Sequence, residues 1–166
     1  MTAVSNPKRF RITLPKMQRE SFAAGNLVFL TTTDTTVGFV SQDSERLTAI
    51  KQRPPYKHYI KAVESLQTLQ AHTRIPYSHR NRVRRSRKTT FIMPDGHSYR
   101  VVKAAEHLLL LSRLKWAYTT SANLSGKGYD EKFAQEAADI AVYPLKHDGT
   151  PSVILKLGTH TLKRIR

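Results

Sequence analysis

The sequence predicts an α/β fold with a twisted mixed sheet and flanking helices. Stretches rich in β-branched and aromatic residues alternate with stretches of helical apolar spacing, as in α/β proteins. A chain of 166 residues can form its own hydrophobic core, since a chain of this size buries roughly 70% of its unfolded surface. It contains no internal repeat, low-complexity tract or Gly/Ser linker. We therefore expect a single domain over 1–166, with an N-terminal arm and helix over 1–25.

The first elements are predicted from apolar spacing and turn residues. Apolar residues at helical spacing predict a short amphipathic helix over 14–24, which Gly25 ends. The β-favouring runs 26–31 and 37–40 then predict two strands joined by a polar turn.

The next elements are bounded by capping residues and prolines. Ser44 lies at the start of a short helical pattern that the pair Pro54 and Pro55 stops. The run 59–63 predicts a strand, and Ser65 is placed to open a further helix.

The second half of the chain continues the alternation. Strands 89–93 and 98–103 are predicted to pair across the turn 94–97, whose Pro-Asp-Gly sequence favours chain reversal. The remaining elements, in the order helix, strand, helix and strand, are predicted at 104–114, 116–119, 129–138 and 152–157.

The composition excludes several classes of site. Without cysteine, the chain has no disulfide, iron–sulfur cluster, thiolate zinc site or cysteine nucleophile. No apolar run could cross a bilayer and no secretory signal is present, so we expect a cytoplasmic protein without a membrane partner. The formal net charge of +16 favours a polyanionic partner, such as nucleic acid or nucleotide phosphates.

Positive charge is concentrated in the basic segment, residues 72–88, which contains no acidic residue. A helix over 78–88 would place Arg80, Arg84 and Arg87 on one face by their i, i+4, i+7 spacing. Two interpretations stay open: the segment contacts RNA phosphates, or it is a solvated loop of a basic protein. No aromatic platform accompanies the arginines, so sequence-specific recognition is not expected. The candidate RNA-binding residues are Arg80, Arg82, Arg84, Arg85, Arg87 and Lys88.

Three polar motifs lie in loops or where predicted strands end, as functional sites on α/β scaffolds commonly do. They are T-T-D-T-T-V-G-F over 32–39, K-Q-R-P-P-Y-K over 51–57, and T-T-S-A-N-L-S-G over 119–126. Taken singly, they have ordinary explanations as an Asx turn, solvated cations and a helix-capping loop.

The second and third motifs together suit a triphosphate. In an extended segment Ser121 and Asn123 would point to the same side. Lys51 and Arg53 could then neutralise the phosphates while the hydroxyl and the amide fix their orientation.

In this combination and order, the motifs resemble those of the YrdC-like family, the L-threonylcarbamoyladenylate synthases. The family pattern continues with a strand carrying a lone arginine, matched here by R-V-V at Arg100, and with a P-S-T-[IV] strand, matched by P-S-V-I at 151–154. The resemblance extends over 27–166, and the pairing of K-x-R with S-x-N is its most specific part.

The resemblance implies a deep basic groove that condenses ATP, L-threonine and bicarbonate into threonylcarbamoyl-AMP and pyrophosphate. A threonylcarbamoyl-transfer complex would then modify an adenosine beside the anticodon of certain tRNAs. By position, the catalytic residues implied are Lys51, Arg53, Ser121 and Asn123. The ATP-binding set implied adds Lys57, Ala122 and Arg164 to these four. The threonine-binding residues implied are Thr35, Arg100, Thr120 and Ser152.

Mg²⁺ bound together with ATP is the only cofactor expected for such a reaction. The motifs supply few carboxylates, so the nucleotide and water would hold most of the ion and no protein metal ligand is predicted. Asp34 is the one acid in the three motifs, and a turn-forming role is the interpretation that we favour for it.

The chain departs from the family pattern at several points. Thr32 replaces a proline and Val37 a tyrosine in the first motif. S-R-K-T-T at 86–90 replaces P-G-P-x-T, Val153 replaces a threonine, and R-I-R at 164–166 lacks the glycine of R-x-G. These changes preserve the K-x-R and S-x-N residues better than the groove around them.

A divergent synthase is our first interpretation. The alternative is a non-catalytic member of the same fold that binds double-stranded RNA or tRNA, which the added arginines favour. A carbamoyl-transfer domain with another acceptor is a third, but no acylphosphatase-like or zinc-binding neighbour supports it. For a synthase, Lys51→Ala or Arg53→Ala is expected to abolish ATP consumption without unfolding the chain, because neither residue is at a predicted core position.

Overall fold

The computed structural model describes residues 12–13, 24–147 and 149–166. Within these ranges a mixed sheet of ten strands is accompanied by five α-helices. The predicted α/β class with a mixed sheet is thus confirmed. The helix predicted over 14–24 lies outside the described residues except for Ala24, which begins a 3₁₀ turn (Ala24–Asn26).

The strands of the described residues are short, and the longest has six residues. They are β1 (Ile12–Thr13), β2 (Phe29–Thr32), β3 (Val37–Ser41), β4 (Ile60–Val63), β5 (Thr89–Ile92), β6 (Ser98–Val101), β7 (Trp116–Ser121), β8 (Ile140–Val142), β9 (Val153–Leu157) and β10 (Leu162–Arg164). Their order across the sheet is β1-β8-β2-β3-β7-β4-β6-β5-β9-β10. The pairs β2–β8, β4–β6 and β5–β9 are parallel, and the other neighbours are antiparallel.

Three of the five α-helices in the described ranges begin at a polar residue whose side chain caps them, namely Asp43, Ser65 and Asp130. Asp43 Oδ1 accepts hydrogen bonds from the backbone N–H groups of Glu45 and Arg46, both at 3.0 Å. Ser65 caps the second helix, as predicted, and its Oγ accepts from the Thr68 N–H at 3.1 Å. The helices are α1 (Ser44–Lys51), α2 (Leu66–His72), α3 (Arg80–Arg85), α4 (Ala105–Leu114) and α5 (Glu131–Ala137). No helix in the described ranges combines the length and apolar character that crossing a membrane requires.

Successive residues of a strand contribute to cores on opposite faces of the sheet, as the two-residue period of a strand requires. Leu30 and Phe39 belong to a cluster with residues of α1 and α5, whereas their neighbours Phe29 and Val40 pack with α4. A further cluster around Phe91 includes residues of α2 and α3. The central strands are therefore covered on both faces.

Most predicted elements are present, with ends displaced by a few residues. The predicted pairing of 89–93 with 98–103 is confirmed by β5 and β6, whose turn contains Gly96 at a φ of 85°. A helix over 78–88 is wrong in extent, because the chain becomes extended at Ser86 and α3 ends at Arg85. Arg87 therefore does not share a helix face with the other arginines.

Candidate functional site

A cavity of about 280 Å³ lies where the three motifs meet. β3 and β7 are antiparallel neighbours, with Gly38 opposite Ser121, so the first motif lies beside the third. β4 pairs with the other edge of β7, with Ile60 opposite Thr119, and this pairing brings the end of the second motif alongside. A Cβ at Gly38 would lie 2.6 Å from the Thr120 carbonyl oxygen, so only glycine permits this close approach. The lining residues are Thr33, Thr35, Thr36, Arg53, His58, Tyr59, Ile60, Arg100, Thr119, Thr120, Ser121, Pro151, Ser152 and Arg166.

Arg100 on β6 borders the cavity although it is only 3% exposed. Its Nη1 donates to Asp34 Oδ1 at 2.9 Å and to Thr35 Oγ1 at 3.1 Å. Its Nη2 donates to Thr90 Oγ1 at 2.9 Å and to Ser152 Oγ at 3.0 Å, and its Nε donates to Thr90 Oγ1 at 3.2 Å. These bonds use all the guanidinium donors. The cation is therefore fixed in place beside the hydroxyls of Thr35 and Ser152.

The turn before β3 is closed by a threonine. Thr33 Oγ1 accepts hydrogen bonds from the N–H groups of Thr35 at 3.3 Å and Thr36 at 3.2 Å, and donates to the Thr36 carbonyl at 2.6 Å. The turn-forming role favoured for Asp34 is therefore wrong. Its carboxylate is turned inward instead, where Arg100 provides a buried counter-charge.

Asp34 also lies next to a buried histidine that the sequence analysis missed. Asp34 Oδ1 is 3.7 Å from His107 Nδ1, and both ring nitrogens of His107 lack a hydrogen-bond partner among the described residues. Burial raises the pKa of Asp34, but His107 and Arg100 outweigh this effect, so the pKa lies below its ordinary value. Asp34 is thus ionised and neutralises Arg100. The only sequence signal for His107 was its position four residues before Leu111, on the inward face of a predicted helix.

Lys51 is buried at the end of α1 and is not among the residues that line the cavity. Its Nζ donates to the carbonyl oxygens of Ser121 at 2.7 Å and Asn123 at 2.6 Å, and to Asn123 Oδ1 at 3.3 Å. The expectation that Lys51 lies outside the core is therefore wrong. Its ammonium group can be buried because three oxygen atoms of the third motif accept its hydrogen bonds.

The burial of Lys51 predicts how stability depends on pH. Burial, with a smaller contribution from the charge of Arg53, lowers the Lys51 pKa from 10.5 to about 8. Between these values the unfolded chain binds more protons than the folded chain, so stability should rise with pH through this window. Denaturant unfolding at several pH values should show this rise in the wild type and a smaller rise in Lys51→Met, because burial also lowers the pKa of Lys61. A rise of equal size in both proteins would contradict the assignment.

Arg53 is the cation of the second motif that borders the cavity. Its Nη2 donates to the His58 carbonyl at 3.1 Å, and its guanidinium carbon lies 4.7 Å from the centroid of the Tyr59 ring. Its buried Nε has no partner among the described residues. The tyrosine hydroxyl is held in turn by Thr48 Oγ1 at 3.1 Å. This arrangement orients Arg53 and leaves a donor for an anion. Tyr59 was not predicted from the sequence as a residue of the site.

The third motif places Ser121 and Thr120 at the cavity but turns Asn123 away from it. The Asn123 N–H donates to the Ser121 carbonyl at 3.0 Å, so the chain is no longer extended there. The Asn123 amide nitrogen donates within its own loop, to Leu124 O at 2.9 Å and to Lys127 O. The expectation that Ser121 and Asn123 face the same side is therefore wrong. Ala122, between them, is buried.

Lys57 and Arg164 are exposed and lie outside the cavity lining. Arg164 pairs with Leu155 between β10 and β9, whereas Arg166 borders the cavity. The Arg166 Nε donates to the Ser152 carbonyl at 3.2 Å. Arg164, the residue that the resemblance implies for the nucleotide, is thus not a lining residue; Arg166, which follows the end of β10, borders the cavity instead.

The cations of the basic segment are exposed and, among the described residues, take part in no ion pair. α3 is held to the core by Val83, which is fully buried in the cluster around Phe91. The charged side chains thus extend outward from an anchored helix, with Arg84 Nη2 donating to Asn81 Oδ1 at 3.3 Å. They are Arg80, Arg82, Arg84 and Arg85 on α3, preceded by Arg74 and followed by Arg87 and Lys88.

The cavity offers little to a metal ion. The described part of the chain contains no group of three or more His, Asp or Glu residues placed to hold one. Asp34 is a poor ligand because it is buried and already bonded to Arg100.

The chain is similar in sequence to a longer protein. No family model matches it. The uncharacterized protein MG259 homolog of Mycoplasma pneumoniae is 31% identical over 147 residues, which make up 80% of this chain and 30% of that protein. The chain thus spans less than a third of the length of this relative.

Solved structures share the architecture. Sua5 of P. abyssi, complexed with L-threonine, superposes with a TM-score of 0.73 at 19% identity and covers 84% of this chain and 50% of its own. E. coli YciO has a TM-score of 0.67 at 17% identity, covering 85% of this chain and 82% of its own. Full-length HypF in a phosphate- and nucleotide-bound form has a TM-score of 0.70 at 14% identity, covering 95% and 25%. At these identities the likeness concerns the fold, and this chain has the YrdC-like fold of the Sua5/YrdC proteins.

Proposed function

We propose that the chain binds L-threonine and ATP in this cavity and joins them with bicarbonate into threonylcarbamoyl-AMP, releasing pyrophosphate. The observation that supports this best is the fixed Arg100 guanidinium, with the hydroxyls of Thr35 and Ser152, in the cavity that Arg53 and Ser121 also border. Sua5, which has the same fold, has been solved with L-threonine, and HypF in a nucleotide-bound form.

The threonine carboxylate would be held by Arg100 and the hydroxyls bonded to it. The guanidinium donors are all engaged, but Thr35 Oγ1 and Ser152 Oγ act as acceptors towards Arg100. Ser152 Oγ keeps a hydrogen that it can donate to a carboxylate oxygen, whereas the Thr35 hydroxyl, 3.3 Å from Thr33 Oγ1, can donate its hydrogen either to Thr33 or to the carboxylate. Arg100 polarises both hydroxyls and adds its charge, although Asp34 reduces that charge. Hydroxyl donors would therefore do much to orient the threonine carboxylate in this site.

The nucleotide phosphates would be held at Arg53 and Ser121, with Arg166 nearby. In the proposed reaction, the threonine nitrogen bonds to the bicarbonate carbon and water leaves. A carbamate oxygen then bonds to the α-phosphorus as the bond to the β-phosphate breaks and pyrophosphate departs. No protein nucleophile is needed, so the side chains act by positioning the reactants and neutralising charge.

The product is a mixed anhydride. A second protein must accept its threonylcarbamoyl group before water hydrolyses the anhydride. We propose a threonylcarbamoyl-transfer complex as that partner and a tRNA adenosine as the final acceptor. This extension rests on the proposed synthase reaction.

Pyrophosphate release from ATP tests the proposed function. We expect release that requires both L-threonine and bicarbonate, because the carbamate is the nucleophile that displaces pyrophosphate. Omitting each co-substrate in turn provides the control. A folded protein that binds ATP but releases no pyrophosphate with both present would contradict the synthase.

RNA binding without catalysis is the second candidate function. The exposure of seven cations of the basic segment without an acidic partner in the described residues favours it. Each cation that contacts a phosphate releases counterions, so binding through this segment should weaken steeply with salt. Neutralising the arginines should make that dependence shallower.

A further inference from the structure

An exposed tyrosine lies within the basic segment and has no role in the proposed reaction. Tyr77 is 85% exposed, although aromatic side chains usually bury much of their large surface. It begins the 3₁₀ turn Tyr77–His79, which leads into α3, and the guanidinium carbon of Arg80 lies 5.5 Å from its ring centroid. Tyr77 was not singled out from the sequence, and one exposed ring leaves the prediction of no base-reading aromatic platform untested.

The backbone around this tyrosine is anchored on both sides. Ile75 and His79 are buried, and Ser78 Oγ donates to the Thr159 carbonyl at 2.8 Å. Because its neighbours are fixed to the protein in this way, Tyr77 presents its ring from a defined position. A prearranged ring loses little conformational freedom when a ligand packs against it.

One concavity lies beside the ring, and a second adjoins the first. The first, of about 600 Å³, is lined by Tyr77 together with Arg74, Arg80 and His160. Asp95 also lines it, and both of its carboxylate oxygens already accept hydrogen bonds from neighbouring residues. Ser78 is shared with the second concavity, of about 470 Å³, which Arg82 and Arg85 line. Aromatic surface and guanidinium donors are thus adjacent.

We propose that Tyr77 stacks on an unpaired base of an RNA strand whose phosphates lie along Arg82 and Arg85. The proposal rests on the second candidate function, RNA binding, and specifies its substrate class. Aromatic rings beside a basic groove bind single strands through stacking, whereas a duplex keeps its base faces inside its own stack. A membrane would require a bulky apolar face, but Tyr77 is the only large hydrophobic residue exposed in 72–88, all of which is described.

The experiment compares a labelled single-stranded oligouridylate with an RNA duplex in fluorescence anisotropy titrations. Tyr77→Ala should weaken oligouridylate binding about 5- to 150-fold, the range for one stacked base, and leave duplex binding and the salt dependence unchanged. Tyr77→Phe should bind like the wild type because it keeps the ring. Tyr129→Ala is the control, since Tyr129 is also exposed, at 39%, but lies outside the basic segment and the three motifs.

Each possible result supports or overturns the stacking role. Equal weakening on both RNAs, or none on the oligouridylate, would overturn it, as would a Tyr77→Phe protein that binds as weakly as Tyr77→Ala. A variant with glutamine at Arg82, Arg84, Arg85 and Arg87 tests RNA binding itself, which requires weaker binding of both RNAs and a flatter salt dependence. If that variant behaves so while Tyr77→Ala changes nothing, RNA binding stands and stacking fails. If the wild type binds neither RNA, both fail.

Discussion

Arg100→Met should abolish L-threonine binding and lower the free energy of unfolding by about 3–5 kcal/mol. The substitution leaves the Asp34 carboxylate, whose side chain is 4% exposed, buried without its counter-charge. It also removes every hydrogen bond that the guanidinium donates to Thr35, Thr90 and Ser152. Urea unfolding measures the first effect, and isothermal titration with L-threonine measures the second.

A double variant separates the two effects. Adding Asp34→Asn to Arg100→Met removes the uncompensated charge, so most of the lost stability should return. Threonine binding should not return, because the positive charge and the polarised hydroxyls are still missing. Equal destabilisation of the single and double variants would show that the ion pair is not the source of the effect. Wild-type threonine affinity in Arg100→Met would remove Arg100 from the proposed site.

The order of strands and helices was predictable where local patterns are strong. Alternating burial along β2 and β3 and the Ser65 cap reflect signals that nearby residues create. Strands β1, β8 and β10, of two or three residues each, were not predicted from the sequence. β8 lies between β1 and β2, so distant partners determine its pairing more than its own short pattern does.

The sequence predicts which residues belong to the candidate site better than it predicts how they are arranged. Arg53, Arg100 and Ser121 border the cavity, as do the other polar residues implied for threonine, Thr35, Thr120 and Ser152. Motif spacing does not determine burial, which depends on packing across the sheet. For this reason, the sequence predicted Lys51 as a phosphate ligand, and only the structure shows that it donates hydrogen bonds to the third motif instead.

Two departures from the family pattern, Thr32 and Val37, lie outside the cavity lining. Thr32 Oγ1 donates to the Pro144 carbonyl at 3.0 Å and accepts from the Lys146 N–H at 2.9 Å, so it links the first motif to the segment after β8. Val37 is 4% exposed, belongs to the core cluster of Leu30, and is not a lining residue. Both substitutions are therefore compatible with the arrangement around Arg100.

Arg53→Gln should reduce the proposed pyrophosphate release about 100- to 1,000-fold, the typical effect of removing one group that stabilises developing charge. Stability should change little, because Arg53 is only partly buried and makes one hydrogen bond within the described residues. Lys51→Met should reduce both activity and stability, because it leaves the oxygen acceptors of Ser121 and Asn123 without their donor. Lys51→Ala is therefore no longer expected to leave the fold intact.

Measuring unfolding and pyrophosphate release on the same samples distinguishes a phosphate ligand from a structural support. Lys132→Gln is the matched control for loss of one positive charge, since its side chain is 85% exposed on α5. If Arg53→Gln is as active as this control, the phosphates are held elsewhere. If Lys51→Met keeps wild-type stability, its three buried hydrogen bonds contribute nothing net, and the third motif holds its shape without them.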